Sequence, residues 1–202
     1  VNAVEETVRN YLSRNKFVTL FGGEHSISIG AIRAFSASFE NLTVVQIDAH
    51  ADLRPSYEGS PFNHACALHE ASQTTNLIQI GIRSMDASEK GFLNRENTFF
   101  AHDMATDPYW MDQAIDKMTD NIYLTIDFDG LDPSIFPATG TPVPGGLTWY
   151  QTLNLFESVA KQRDIIGFDI MEYAPINGFH AYDFAAALLT YKLMGIVERS
   201  KL

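Results

Sequence analysis

Short runs of β-branched and aromatic residues alternate along the chain with longer stretches whose apolar positions recur at helical spacing. The runs 17–21, 43–47, 77–82, 122–126 and 165–170 are almost continuously apolar, as expected of strands covered on both faces, and 98–100 reads as a shorter sixth. Helices are predicted over 4–14, 25–38, 64–72, 108–119, 149–162 and 182–194. Two of them carry start signals: Thr148 stands at an N-cap position, and Pro108 follows Asp107 in a first turn. Strands alternating with helices predict an α/β fold, three layers (α/β/α) built on a mainly parallel central sheet.

Three acidic clusters each follow a strand run directly: Gly22-Gly23-Glu24-His25, Asp48-Ala49-His50-Ala51-Asp52 and Asp127-Phe128-Asp129. In an open parallel sheet the loops after the strands gather at one edge, and ligands bind there. Gly22 and Gly23 allow a tight turn before His25 opens a helix. Asp48, His50 and Asp52 are spaced i, i+2, i+4, so an extended backbone points all three to one face. Full extension would set the outer two about 13 Å apart, at roughly 3.3 Å per residue, so the chain has to curl after His50 for them to share a centre. Asp127 and Asp129 repeat the i, i+2 device on another strand before Asp132-Pro133 turns the chain away. Taken singly, each cluster also reads as an Asx turn, a helix cap or an ordinary polar side chain. Together, four carboxylates and two imidazoles make a hard-to-borderline donor set suited to two Mn²⁺ ions, which lower the pKa of a shared water for hydrolysis.

Composition narrows the partners. A chain of 202 residues, 46% hydrophobic, is long enough to bury one continuous core, so a single domain over 1–202 is expected. The formal charge of −11, from 25 acidic and 14 basic residues, argues against nucleic acid and is compatible with a small cationic substrate. Cys66 is the only cysteine, which excludes an intramolecular disulfide and a Cys-based zinc site and fits the cytoplasm. The opening Val1-Asn2-Ala3-Val4-Glu5-Glu6 has neither a basic nor an apolar targeting region, and no window approaches a membrane span. A soluble protein with no membrane partner is expected. Segment 133–146 holds four prolines and three glycines in fourteen residues, yet it begins inside the Asp127 loop and is read as a functional loop rather than a linker.

These motifs resemble those of the ureohydrolases, the arginase and agmatinase superfamily of binuclear manganese enzymes. The likeness covers nearly the whole chain; it includes Pro137-Ala138-Thr139-Gly140-Thr141-Pro142-Val143-Pro144-Gly145-Gly146-Leu147-Thr148 and Gly167-Phe168-Asp169-Ile170-Met171-Glu172. The resemblance implies an arginase-like fold in which His25 and Asp52 bind one Mn²⁺, His50 and Asp129 bind the other, and Asp48 and Asp127 bridge. It implies attack of a metal-bridging hydroxide on a guanidinium carbon and collapse to urea and an amine. Glu172 falls where the family has a carboxylate that pairs with the guanidinium. His64, in Ser60-Pro61-Phe62-Asn63-His64, falls where the family has a proton-shuttling histidine able to protonate the leaving amine. By the same resemblance Asn63 joins Glu172 among the substrate-binding positions, and Asp52 joins His64 and Glu172 among the catalytic ones.

The loop from Arg54 to His64 resembles the agmatinase version, which implies agmatine cleaved to putrescine and urea, with arginase or guanidinobutyrase activity as alternatives. The resemblance further implies a homo-oligomer, a trimer or hexamer. Two readings compete: a metal-binding but catalytically silent interaction subunit, and a single-zinc amide hydrolase, against which the six-ligand set weighs. Two departures stand out. Gln151 replaces a Glu common in relatives, and His25 comes almost at once where relatives carry a sizeable earlier segment with a strand and part of the site's rim. The expectation is an N-terminally shortened fold with an exposed sheet edge, of reduced stability or reliant on oligomer contacts.

Overall fold

All six apolar runs form strands: β1 (Val18–Phe21), β2 (Leu42–Ile47), β3 (Asn76–Ile82), β4 (Thr98–Phe100), β5 (Asn121–Asp127) and β6 (Asp164–Met171). In this computed structural model, which describes residues 1–201, they make one sheet in the order β1-β6-β5-β2-β3-β4, and every neighbouring pair is parallel. The helices are α1 (Asn2–Leu12), α2 (Ile27–Ser38), α3 (Ala71–Thr74), α4 (Ala101–Met104), α5 (Trp110–Asp116), α6 (Trp149–Gln162) and α7 (Ala181–Ser200).

The side chains of β2 explain why the strands read as continuous apolar runs. Val45 and Ile47 pack with Ile115, Phe156 and Leu193 from α5, α6 and α7. Leu42 and Val44 belong to the opposite core, with Val8, Ala31 and Phe35 from α1 and α2. With both faces covered, no position on the strand needs to be polar for solvent's sake. Among the described residues, no helix is long and apolar enough to cross a membrane.

The helical predictions need three corrections. The expected helix 64–72 breaks into a single 3-10 turn, His64–Cys66, and the short α3. The cause is competition for hydrogen bonds: the Leu68 N–H donates to Asp52 O at 3.0 Å and the Arg54 N–H to Ala65 O at 3.1 Å, stitching the segment to the loop after β2 instead of to itself. The helix expected over 108–119 shrinks to α5 because Asp107 Oδ1 accepts the Tyr109 N–H at 2.8 Å in an Asx-type turn. At the other end of the chain, α7 runs past 194 to Ser200.

Thr148 does cap α6. Its hydroxyl accepts the Gln151 N–H at 3.3 Å, and Gln151 Oε1 accepts the Thr148 N–H at 2.9 Å, so the amide at 151 completes a capping box as a Glu would. Segment 133–146 leaves and rejoins the fold at one place, since the Asp132 N–H donates to Leu147 O and the Leu147 N–H to Gly130 O, both at 3.0 Å.

Gly130 sets how closely this loop approaches β2. A Cβ there would lie 2.8 Å from Asp48 N and 2.9 Å from Ile47 C, and neither backbone atom can yield cheaply. Gly130→Ala is therefore expected to lower the unfolding free energy by about 1–3 kcal/mol in a urea titration. An unchanged midpoint would rule out the tight approach.

Candidate metal centre

Four neighbouring strands, β1, β6, β5 and β2, end at the same edge, and the loops that follow them carry every candidate ligand. After β1 the chain turns at Gly22, where a Cβ would run into Met171 Sδ and lie 2.6 Å from Ile27 Cδ1. That turn delivers His25 into a fully buried position. Its backbone N–H donates to Glu172 Oε1 at 2.7 Å, while the Glu172 N–H donates to Gly23 O at 2.7 Å, a reciprocal clasp between the loops after β1 and β6. Glu172 sits at φ +62°, a conformation costly for a side chain that bears Cβ, and the clasp holds it there.

The i, i+2 spacing works differently from the extended alternation expected of it. Asp48 Oδ1 accepts the His50 N–H at 2.6 Å and Asp127 Oδ1 accepts the Asp129 N–H at 2.7 Å, so each pair closes an Asx-type turn. Asp129 Oδ1 accepts the Ala49 N–H at 2.9 Å across the sheet. Each of these carboxylates thus has one oxygen anchored by backbone and the other turned inward. The expected curl occurs at Asp52, whose φ is +54°.

The inward oxygens converge on two imidazoles. His25 Nδ1 lies 3.3 Å from Asp48 Oδ2, 3.3 Å from Asp52 Oδ2 and 3.5 Å from Asp127 Oδ2. His50 Nδ1 lies 2.9 Å from Asp129 Oδ2. Two groupings able to hold a cation result, His25–Asp48–Asp127 and Asp48–His50–Asp129, with Asp48 common to both. Asp52 stands beside the first through His25.

His25 also gives a test of whether a metal fits. Its Nε2 is 2.8 Å from Thr125 Oγ1, which turns Nδ1 toward the carboxylates. That nitrogen is buried and has no hydrogen-bond partner. A hard divalent cation satisfies both an orphaned imidazole nitrogen and the surrounding aspartate oxygens.

A cleft of about 410 Å³ opens over the second grouping, and His50, Asp52, His64, Asp127, Asp129 and Glu172 all line it. His64 Nδ1 is 3.2 Å from Glu24 Oε1, which also accepts the His64 backbone N–H. Asn63 does not line the cleft; its Oδ1 accepts the Ala65 N–H at 3.1 Å and caps the turn that presents His64. Residues the motifs did not single out complete the wall and its supports. Thr141 donates to Asp129 Oδ2 at 3.2 Å, and Arg54, set over the Tyr57 ring at 4.9 Å, faces Asp86 at 3.6 Å. Arg83 donates to the carbonyls of Gly81, Leu131 and Val143 as well as Asp129, tying the 133–146 loop to the site. A lone Arg just past a strand end was the only sequence signal for it.

Known proteins resemble the chain over most of its length. The arginase family matches residues 1–195. An N(1)-aminopropylagmatine ureohydrolase from Synechocystis is 41% identical over 200 residues, covering 96% of this chain and 65% of that protein. An agmatinase from Pyrococcus horikoshii is 32% identical over 205 residues, covering 98% and 70% respectively. The crystal structure of agmatine ureohydrolase of Thermoplasma volcanium superposes with a TM-score of 0.85 at 31% identity, over 98% of this chain and 68% of that one. The chain spans about two thirds of the length of the curated relatives it matches.

Crowding these carboxylates out of water has a predictable effect on protons. Burial and the Asp48 charge push Asp52 up to about 7 and raise Asp127 and Asp129, while Asp48 is held low by His25 and His50 against its own burial. His50, although burial opposes its charge, is raised to about 11 by Asp129 and Asp48. In both Asp52 and His50 the folded pKa exceeds the unfolded one, so the stability they confer is complete below the unfolded value and lost as pH rises through the folded value. Metal binding needs the opposite protonation: ionised carboxylates and neutral imidazoles. Metal-free protein is therefore expected to melt at lower temperature as pH is raised from about 5 to about 9, and Mn²⁺ to raise Tm more at the upper end. Calorimetric scans at several pH values, with and without Mn²⁺, test this; a Mn²⁺ effect that is largest in acid would contradict it.

Proposed function

The chain belongs to the arginase family, and we propose that it is an amidinohydrolase that cleaves a guanidino-alkylamine, agmatine, to putrescine and urea with two Mn²⁺ ions. The observation that carries the reading is the unpartnered His25 Nδ1 among three aspartate oxygens, beneath a cleft that also holds Glu172 and His64. In this reading His25, Asp48, His50, Asp52, Asp127 and Asp129 would hold the ions, Asp48 being the carboxylate common to both groupings. When bound, the pair supplies Lewis acidity and an activated water.

The remaining roles belong to the chain's own side chains. Glu172 commits Oε1 to the His25 N–H, which leaves Oε2 to accept guanidinium N–H groups and orient the carbon toward the metal ligands. Burial raises the Glu172 pKa, and a bound guanidinium would favour the ionised form. Glu24 faces His64 Nδ1 and leaves Nε2 as the free nitrogen that passes a proton to the departing amine. Asn63 contributes by holding His64 in its turn. We place the chain in the cytoplasm as one domain that assembles into a homo-oligomer.

A second reading concerns substrate length. The 41% identical relative is named for N(1)-aminopropylagmatine, which carries one more amine than agmatine. Asp86, at the cleft wall and half exposed, is a carboxylate within the space such an amine would enter.

Urea release from agmatine, N(1)-aminopropylagmatine, arginine and guanidinobutyrate in the presence of Mn²⁺ tests class and substrate together. The expected result is urea from one or both of the first two. Bound Mn²⁺ with no urea from any compound would favour a silent metal-binding subunit instead. His64→Ala is expected to lower kcat by about 10²–10⁴-fold with metal content unchanged. Asp129→Ala should lose one of the two ions together with nearly all turnover, and full activity with a single ion would overturn the two-metal assignment.

A further inference from the structure

A row of buried polar residues crosses the apolar sheet just below the metal ligands. Asp169 on β6, Thr125 on β5, Gln46 on β2, Gln79 on β3 and Thr98 on β4 are register partners in sequence across the sheet, and all are buried. Side chains that share register in a parallel sheet stand on the same face. Gln46, Gln79 and Thr125 have only Val, Ile and Leu as strand neighbours, so the core offers no reason of its own for polar groups there.

Each amide in the row has its orientation fixed by its partners. Gln46 Nε2 donates to Asp48 Oδ2 at 2.8 Å and to His50 O at 3.1 Å. Gln46 Oε1 accepts from Gln79 Nε2 at 2.7 Å, which also donates to Ala51 O at 2.9 Å. Thr98 Oγ1 lies 3.3 Å from Gln79 Oε1, while its single proton is also within reach of Asn94 O at 2.8 Å, the shorter contact. The two amide donors thus run one way, from Gln79 through Gln46 toward the Asp48 carboxylate, and on the way they fix the carbonyls of His50 and Ala51. On the other arm, Thr125 orients His25 in the same manner.

We propose that Gln46 and Gln79 are positioning residues for the metal pair: a two-amide relay that aims the shared ligand Asp48 and holds the loop that carries His50 and Asp52. This rests on the reading of Asp48 as a ligand. An amide donor on Oδ2 keeps that oxygen charged and directed, and partners of this kind behind a ligand are worth roughly 10–100-fold in metal affinity.

The test is Mn²⁺ titration of the full chain against a competing chelator, for wild type, Gln46→Met, Gln79→Met and the double variant, with metal-free melting followed in parallel. Gln46→Met is expected to bind Mn²⁺ roughly 10–100-fold more weakly. Gln79→Met should lose less, and the double variant less than the product of the two single losses, because Gln79 acts on Asp48 through Gln46. Residues with a merely structural role would shift metal-free melting and leave affinity unmoved. Wild-type affinity in Gln46→Met, or losses that multiply in the double variant, would overturn the relay. Wild type that takes up no Mn²⁺ would instead remove the ligand reading beneath it. Should Gln46→Met fail to fold, Gln79→Met carries the same test from the far end: it weakens Mn²⁺ binding, or the relay is wrong.

Discussion

The structure turns on one electrostatic conflict, the gathering of Asp48, Asp52, Asp127 and Asp129 around two imidazoles in a buried pocket. Removing several like charges from water is among the most costly things a fold does unless each is paired or hydrogen-bonded. Here the backbone meets half of the need, with N–H groups of His50, Asp129 and Ala49 each anchoring one carboxylate oxygen. The inward oxygens are left facing one another and the rings, which is why Asp52 and Asp127 hold protons so tightly. In the proposed reading that unmet half is what a pair of divalent cations supplies, and the shared position of Asp48 is what places two ions close together.

A parallel sheet is well suited to hold such a conflict in place. Strands β6, β5 and β2 are buried on both faces and fixed by ladders on both sides, so the loops leaving them start from rigid points, while β1 at the sheet edge is held by β6 alone. Close backbone approaches do the fine adjustment. Gly130 lets the loop after β5 touch Asp48, and Gly22 lets the loop after β1 fold over Met171. Arg83 then spreads one guanidinium over several carbonyls, so the Pro/Gly-rich segment 133–146 stays against the site without regular structure.

The strands were legible because burial on both faces writes itself as nearly unbroken apolar runs, and the acidic clusters proposed as ligands were legible because they follow those runs. The helix over 64–72 was misread for a reason periodicity cannot display: its backbone hydrogen bonds go to Asp52 and Arg54, residues more than ten positions away in sequence. The i, i+2 spacing was noticed, yet its cause is an Asx-type turn rather than strand alternation, and both predict side chains on one side of the chain. Gln46 and Gln79 were visible as polar letters inside apolar runs. Only the register that pairs β2 with β3 shows that they meet.

The clasp between Glu172 and the Gly23–His25 turn carries a further consequence for how the two halves of the site are coupled. Glu172 Oε1 holds the His25 backbone while Glu172 N–H holds Gly23 O, so the group proposed to take the guanidinium also fixes the loop that carries a metal ligand. Glu24, in the same turn, faces His64. One four-residue turn, 22–25, therefore includes His25 and touches both Glu172 and His64. A shift in any of the three is felt by the other two through backbone rather than through solvent, and the positive φ at Glu172 is the local strain that this shared fixation has to hold.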